Sequence, residues 1–346
     1  AGTIGALGDV LQEPKKNGAT GVVYFVDHFF NGSDLLDRLP VGADDHVIFV
    51  DTTDEPTTDG VDAYVDQVKQ QMDGNVAAVV GVGGGATLDT SKAVSNLLNN
   101  PGKAADYQGW DLLPNPGVFK VGIPTLSGTG AEGSRTSVMM NQEKNLKLGM
   151  NSDYTVFDRL VLDPDLTASV PRDQYFYTGM DTYIHCIESL AGSYKHAMAD
   201  AYSHQALSLC RDVFLSDDMQ SQENREKLMI ASYMGGSAIG NSFVGVVHPF
   251  SAGLSMVFHT HHCVGNCIVM NAMDDFYATE VKEFRQMMER QDIPLPENVC
   301  GNLTNAQWQD LYDSTVVHEK PLINALGDDF KSILTPDRVR EIFARM

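Results

Sequence analysis

The stretch AAVVGVGGGATLDTSKAV, residues 77–94, decides the fold. An apolar β-type run ends in Gly81, Gly83, Gly84 and Gly85, and Ala86 to Ser95 follows with helical composition. Bare amides at a helix N-terminus bind phosphate, because several N–H groups converge there and the helix dipole is positive. The spacing matches neither GxGxxG nor GxxxxGK[ST]. Taken alone, the segment is equally readable as an ordinary strand-to-helix turn.

Outward from this loop, the runs GVVYFVD (21–27), HVIFVD (46–51) and FKVGIPT (119–125) alternate with polar, helix-like stretches. Such alternation predicts parallel strands joined by helices. Runs that end in Asp or Gly fit the carboxyl ends of strands, where an open α/β sheet binds ligands. A second loop, IPTLSGTGAE (123–132), follows the last run directly and offers Thr125, Ser127 and Thr129 beside two glycines. Two such loops on one sheet edge point to a dinucleotide site.

After LDPDL (162–166) the pattern becomes helical over 173–192, 196–214, 222–247, 265–291 and 304–325. This predicts a Rossmann-like α/β domain over 1–165 and an all-α domain over 166–346. At 346 residues and 43% hydrophobic content, the chain can bury two cores. Its 24 Lys and Arg against 46 Asp and Glu give a formal charge of −22, which repels phosphate backbones and anionic lipid. Nucleic acid and membrane are therefore not expected partners. No apolar run is long enough to span a bilayer, and AGTIGALGDVLQEPKKNG lacks the order of a secretion signal, so a cytoplasmic location is expected. Five scattered cysteines without a CxxC predict reduced thiols.

In the helical half, Asp181 and His185 stand at i and i+4, on one face of a helix and within reach of a single ion. Their neighbours are apolar, and burying both is costly unless they are paired or coordinated. A simple hydrogen-bonded Asp–His pair satisfies that condition too. His248 and the cluster His259, His261 and His262 put four of the ten histidines within 15 positions. One carboxylate with three imidazoles would suit Fe²⁺ or Zn²⁺.

With these residues in view, the chain resembles the iron-dependent, group III alcohol dehydrogenase family over nearly its whole length. GGGATLDTSKA is similar to the family's GGGSxxD..K loop, IPTLSGTGAE to IPTTxGTGSE, LDPDL to DPxL, and GMDTYIHCIES to GMDAxxHxxE. The resemblance implies a dehydroquinate synthase-like fold and the metal ligands Asp181, His185, His248 and His262. It implies a pyrophosphate loop at Gly83, Gly84, Gly85 and Ala86, with Thr125, Ser127 and Thr129 around the phosphates or nicotinamide ribose. Asp27 corresponds to an acidic position that favours NAD over NADP, and a carboxylate there would repel a 2′-phosphate. Lys147 matches a lysine near the cofactor, and Asp89 one that positions the loop. A homodimer is also implied.

The sequence departs from the family at two places. The histidine usual four residues after the third ligand is Ala252, and the glycine usual after the fourth is Cys263. No proton-relay residue is therefore assigned; His259 and His261 are the candidates. A small residue at 252 suits a bulky, hydroxyl-rich alcohol. Overall similarity within the family implies oxidation of the C8 hydroxyl of 3-deoxy-D-manno-octulosonate to an aldehyde, in lipopolysaccharide amino-sugar synthesis, with NAD or oxygen as acceptor. The alternative is an NAD-dependent dehydrogenase or aldehyde reductase for another small alcohol or polyol. The expected chemistry is Lewis-acid activation of the alcohol oxygen, at a centre of net charge +1, followed by hydride loss. Glu188, one turn past His185, is expected to orient that imidazole. A synthase of the dehydroquinate type needs a strongly basic pocket, and few Lys or Arg flank the ligand segments. A two-His, one-carboxylate oxygenase is disfavoured by four ligand residues and two phosphate-type loops.

Overall fold

The computed structural model describes residues 3–15 and 18–346. Its contacts divide the chain into two units, Ala1–Leu126 with Ala131–Thr167, and Ser127–Gly130 with Ala168–Met346.

In the first unit, the single-turn helices α1 (Leu7–Val10) and α2 (Gln12–Lys15) precede β1 (Gly21–Asp27), and α3 (Leu35–Arg38) precedes β2 (His46–Val50). Then come α4 (Thr58–Met72), β3 (Val76–Gly83), α5 (Gly85–Asn99), β4 (Gly109–Trp110), β5 (Phe119–Pro124), β6 (Thr136–Asn141), β7 (Leu146–Asn151) and β8 (Arg159–Leu160). The main sheet is parallel with order β2-β1-β3-β5-β8. β1 and β3 are covered on both faces, which is why they read as unbroken apolar runs. Val23, Phe25 and Val79 face Val61, Val65, Val68 and Leu97 of α4 and α5. Val22, Tyr24, Val26, Ala78 and Val80 pack with Leu7, Leu11, Leu35 and Leu39 on the other side. Asp163 closes the unit: its buried carboxylate accepts from the Ile4 amide at 3.0 Å and from Arg38 at 3.4 Å.

A small second sheet, β4-β7-β6, is not predicted by the apolar runs. β6 and β7 pair antiparallel across a turn in which Asn145 takes a φ of 51°. β6 alternates buried and half-buried positions, so it lacks the continuous hydrophobicity that marks the parallel strands.

The second unit comprises α6 (Arg172–Ala191), α7 (Ala197–Phe214), α8 (Gln222–Ser242), α9 (Val247–Phe258), α10 (His262–Asn271), α11 (Ala278–Gln291), α12 (Asn305–Val316), α13 (Glu319–Leu326), α14 (Phe330–Ile333) and α15 (Pro336–Phe343). Three of the predicted long helices are each two. The pattern at 222–247 breaks where Phe243 takes a φ of 94°. That at 265–291 starts earlier, at His262, and breaks after Asn271, whose carbonyl accepts from Arg285 of α11. That at 304–325 breaks at Val317 and His318. The first turns of α9 and α10 each carry a histidine of interest, His248 and His262.

The loop Ser127–Gly130, expected with the first domain, packs within the second unit. Gly128 donates to Ser232 Oγ at 2.8 Å and accepts from Thr182 Oγ1 at 2.7 Å. A β-carbon on Gly128 would sit 1.6 Å from the Thr178 carbonyl, and its φ of 150° lies where other residues are strained.

Candidate metal centre

α6 supplies the floor of the site. Asp181, His185 and Glu188 lie at i, i+4 and i+7 on one face, and all three are buried. α9 adds His248 in its first turn, and α10 opens on His262. The structure thus gathers all four expected ligand residues within one unit. His248 Nε2 lies 3.2 Å from Asp181 Oδ1, His185 Nε2 3.5 Å from the same oxygen, and His262 Nε2 3.6 Å from Oδ2. One donor atom each of Asp181, His248 and His262 falls within 4.8 Å of the others. His185 and His248 stack with ring centroids 4.7 Å apart.

These separations suit donors that share one ion, since bonds of about 2.1 Å place neighbouring donors roughly 3 to 4 Å apart. His185 turns Nε2 toward Asp181 and leaves Nδ1 buried without a hydrogen-bond partner. A carboxylate with imidazole nitrogens is a donor set for Fe²⁺ or Zn²⁺, so the residues present fit a divalent metal. His262 is the more open of the histidines, with 32% of its side chain exposed.

The electrostatics follow from burial among opposite charges. Burial alone would raise the Asp181 carboxyl, but the surrounding imidazoles hold it well below the usual carboxylate range. Burial pushes His185 down to about 4. For His248, burial is outweighed by Glu188 and Asp181, which raise it to about 10.

Glu188 does not orient His185 as expected. Its Oε2 lies 2.5 Å from His248 Nδ1, and its Oε1 accepts from the Val247 amide at 2.6 Å. It therefore caps the start of α9 and fixes the His248 tautomer with Nε2 turned toward Asp181. The break before α9 produces this outcome, because it brings His248 rather than His185 over the Glu188 carboxylate. The four proposed ligand residues would still leave a dication with net charge +1, and the buried Glu188 carboxylate stands just beyond them, against His248.

Sequence reasoning missed Asn266. It stands one turn after His262, as His185 stands one turn after Asp181, so the same-face rule applied to α10 would have found it. Cys263, the unusual neighbour of His262, is buried, and its thiol lies 3.9 Å from Asp181 Oδ2. Ala252 is half-buried one turn past His248. His259 caps α9 with a φ of 54° and His261 caps α10; both are exposed.

The expected cofactor residues lie as follows. Asp27 ends β1, Gly83 ends β3 and Pro124 ends β5, all at carboxyl ends of adjacent strands. Asp27 accepts from the Phe29 amide at 3.0 Å and from Thr52 Oγ1 at 3.2 Å. A β-carbon on Gly83 would meet Thr87 at 2.6 Å, and one on Gly84 would meet Leu126 at 2.8 Å, so these glycines also serve strand–helix packing. Gly85 and Ala86 form the first turn of α5, where Thr87 Oγ1 is buried without a hydrogen-bond partner. Thr125 donates its amide to the Gly83 carbonyl at 3.0 Å. Ser127 Oγ, in the other unit, is buried without a partner, and Thr129 lies two residues on. Asp89 accepts from the Val138 amide at 2.9 Å, which ties α5 to β6. Lys147 donates to Glu55 at 2.7 Å.

Among the described residues, no helix is long and apolar enough to cross a membrane. Residues 2–164 match the model for iron-containing alcohol dehydrogenase, and 175–295 match the C-terminal model of the Fe-containing alcohol dehydrogenase family. The chain is 32% identical over 232 residues to the sulfoacetaldehyde reductase of Bilophila wadsworthia, a match covering 66% of this chain and 59% of that protein. It is 29% identical to the NAD-dependent methanol dehydrogenase of Bacillus methanolicus, over 87% of this chain and 79% of that one. The fold superposes on sulfoacetaldehyde reductase from Bifidobacterium kashiwanohense in complex with NAD+ with a TM-score of 0.79 and 21% identity, covering 98% and 93% of the two chains. With both halves matched in order, the chain belongs to the iron-containing alcohol dehydrogenase family.

Proposed function

We propose that this protein interconverts a primary alcohol and its aldehyde, passing hydride to and from NAD, with a divalent metal held by Asp181, His185, His248 and His262. The observation that carries the reading is a fully buried carboxylate surrounded by three imidazoles. In the oxidative direction RCH₂OH and NAD⁺ give RCHO, NADH and a proton. When bound, Fe²⁺ or Zn²⁺ supplies Lewis-acid stabilisation of alkoxide character on the alcohol oxygen.

The chain's own residues divide the remaining work. Asp181 contributes the anionic donor. Glu188 accepts from His248 Nδ1, which leaves Nε2, the nitrogen turned toward Asp181 and Asn266, as the one that would bind metal. Exposure at His262 gives substrate and solvent an approach to the cluster. Ala252 leaves space where relatives carry an imidazole, so the alcohol proton leaves to water, with His259 and His261 as the flanking side chains able to accept it. On the cofactor side, the amides that open α5 and the Thr87 hydroxyl offer donors to a pyrophosphate. Asp27 favours NAD over NADP.

For the substrate, the overall likeness of the chain and the small side chain at 252 support the C8 hydroxyl of 3-deoxy-D-manno-octulosonate. The 32% identity to a sulfoacetaldehyde reductase supports a second reading, reduction of a small anionic aldehyde. The test is anaerobic incubation of Fe²⁺- or Zn²⁺-loaded protein with NAD and the sugar acid, and separately with NADH and sulfoacetaldehyde, following nicotinamide absorbance and the carbonyl product. Turnover in the first arm alone supports the sugar, and in the second alone the reductase. A metal-loaded protein that exchanges hydride with neither pair, nor with simple primary alcohols, overturns the proposal.

A further inference from the structure

We infer that Asn266 is the positioning residue of the metal centre, holding Asp181, His248 and His262 in register so that the ion meets a prearranged site. The inference rests on the reading that these side chains bind a metal.

Asn266 is completely buried, and its Nδ2 lies 2.7 Å from Asp181 Oδ1, 3.2 Å from His262 Nε2 and 3.4 Å from His248 Nε2. Those partners stand on α6, α10 and α9, so one carboxamide touches every helix that brings a group to the site. An amide nitrogen has two N–H bonds. The shortest contact assigns one to the carboxylate, and the two histidines compete for the other. A metal held by the imidazole lone pairs would take them out of that competition and leave the Asn266–Asp181 bond in place. Asp181 Oδ1 is thus engaged by Asn266, while Oδ2 faces His262 Nε2 and the Cys263 thiol.

Asn266 Oδ1 is buried with no hydrogen-bond partner, so every contact of the carboxamide's polar ends is made through Nδ2. Here the donor end is committed to three ligand groups at the expense of the acceptor end.

The test compares the wild-type chain with Asn266→Leu, which keeps the volume and removes both donors, and with Asn266→Ala. Zn²⁺ affinity is measured by competition with a chromophoric chelator, and the visible d–d absorption of the Co²⁺-loaded protein reports coordination geometry. The expected result is an affinity loss of about 10- to 100-fold, the range seen when groups that orient ligands are removed, with an altered cobalt spectrum. The melting temperature of the metal-free variants supplies the fold check, and Asn266→Ala carries the test where Asn266→Leu does not fold. Unchanged affinity and spectrum in a folded variant overturn this inference alone. Failure of the wild-type chain to bind Zn²⁺ or Co²⁺ stoichiometrically overturns the metal-site reading, and this inference with it.

Discussion

Lys92 and Asp181 are both fully buried charges in helix interiors, one in each unit, and they meet the cost of burial in opposite ways. Lys92 Nζ is completed by its own chain: Thr136 O at 2.8 Å, Ser134 Oγ at 3.2 Å, Ser134 O at 3.4 Å and Asp89 Oδ1 at 3.4 Å. Three ammonium protons find more acceptors than they need. Around Asp181 the balance fails. Three imidazoles crowd one carboxylate, and two of their ring nitrogens compete for one amide. A cation shared by those nitrogens and the carboxylate would relieve that competition, whereas the lysine network has no such need.

Breaking each network should therefore give different symptoms. Asp181→Ala removes the only anionic donor among the four proposed ligands, and is expected to abolish metal retention and lower kcat/KM by at least about 10³-fold. Metal content by atomic emission, with steady-state rates, checks both. Lys92→Met should do the reverse. It leaves the Asp89 carboxylate without its cation, held by the Val138 amide, and destabilises the fold by about 3–5 kcal/mol, read by urea unfolding, while the folded protein still binds metal at full stoichiometry. Asp89→Leu added to Lys92→Met should recover much of that stability. Loss of metal in Lys92→Met, or a large stability loss without metal loss in Asp181→Ala, would erase the distinction.

The contrast also explains what was legible beforehand. The parallel strands could be read because burial on both faces leaves an unbroken apolar signature, and Asp181 and His185 because helical spacing fixes a shared face. Nothing local reveals β6 and β7, whose alternation is short and whose charged turn resembles a loop. Nor does spacing reveal that Glu188 serves His248, which is 60 positions away and arrives only because the chain breaks at Phe243. The ligand set was nameable from resemblance, while the groups that hold it, Glu188 and Asn266, depend on helix ends that periodicity places poorly. The glycines of 83–84 carry the converse lesson. They look like phosphate-binding residues, yet Thr87 and Leu126 already require them.

A smaller effect sharpens the site's inner logic. Glu188→Gln keeps an oxygen for the Val247 amide and removes the carboxylate that accepts from His248. An affinity loss of about 10- to 100-fold for Zn²⁺ is expected by chelator competition, with little change in the melting temperature of the metal-free protein. An unchanged affinity would return Glu188 to the role of a helix cap.

Asp27 lies between the two extremes, and its effect should be the smallest. Its carboxylate is engaged by Phe29 N and Thr52 Oγ1, as a structural group would be, yet 15% of the side chain remains exposed at the carboxyl end of β1. Asn at this position keeps an accepting oxygen for both partners, so stability should hold. What disappears is the charge. Two unit charges 4 Å apart repel by about 4 kcal/mol at an effective dielectric of 20, and by about 1 kcal/mol in water; a partly exposed carboxylate falls toward the lower figure. Asp27→Asn should then improve kcat/KM with NADP relative to NAD by about tenfold, and the gain should shrink as ionic strength rises. A ratio that stays fixed at every salt concentration would mean that the adenine ribose lies elsewhere. Asp27 would then be a capping residue only, on the closed side of the comparison with Lys92.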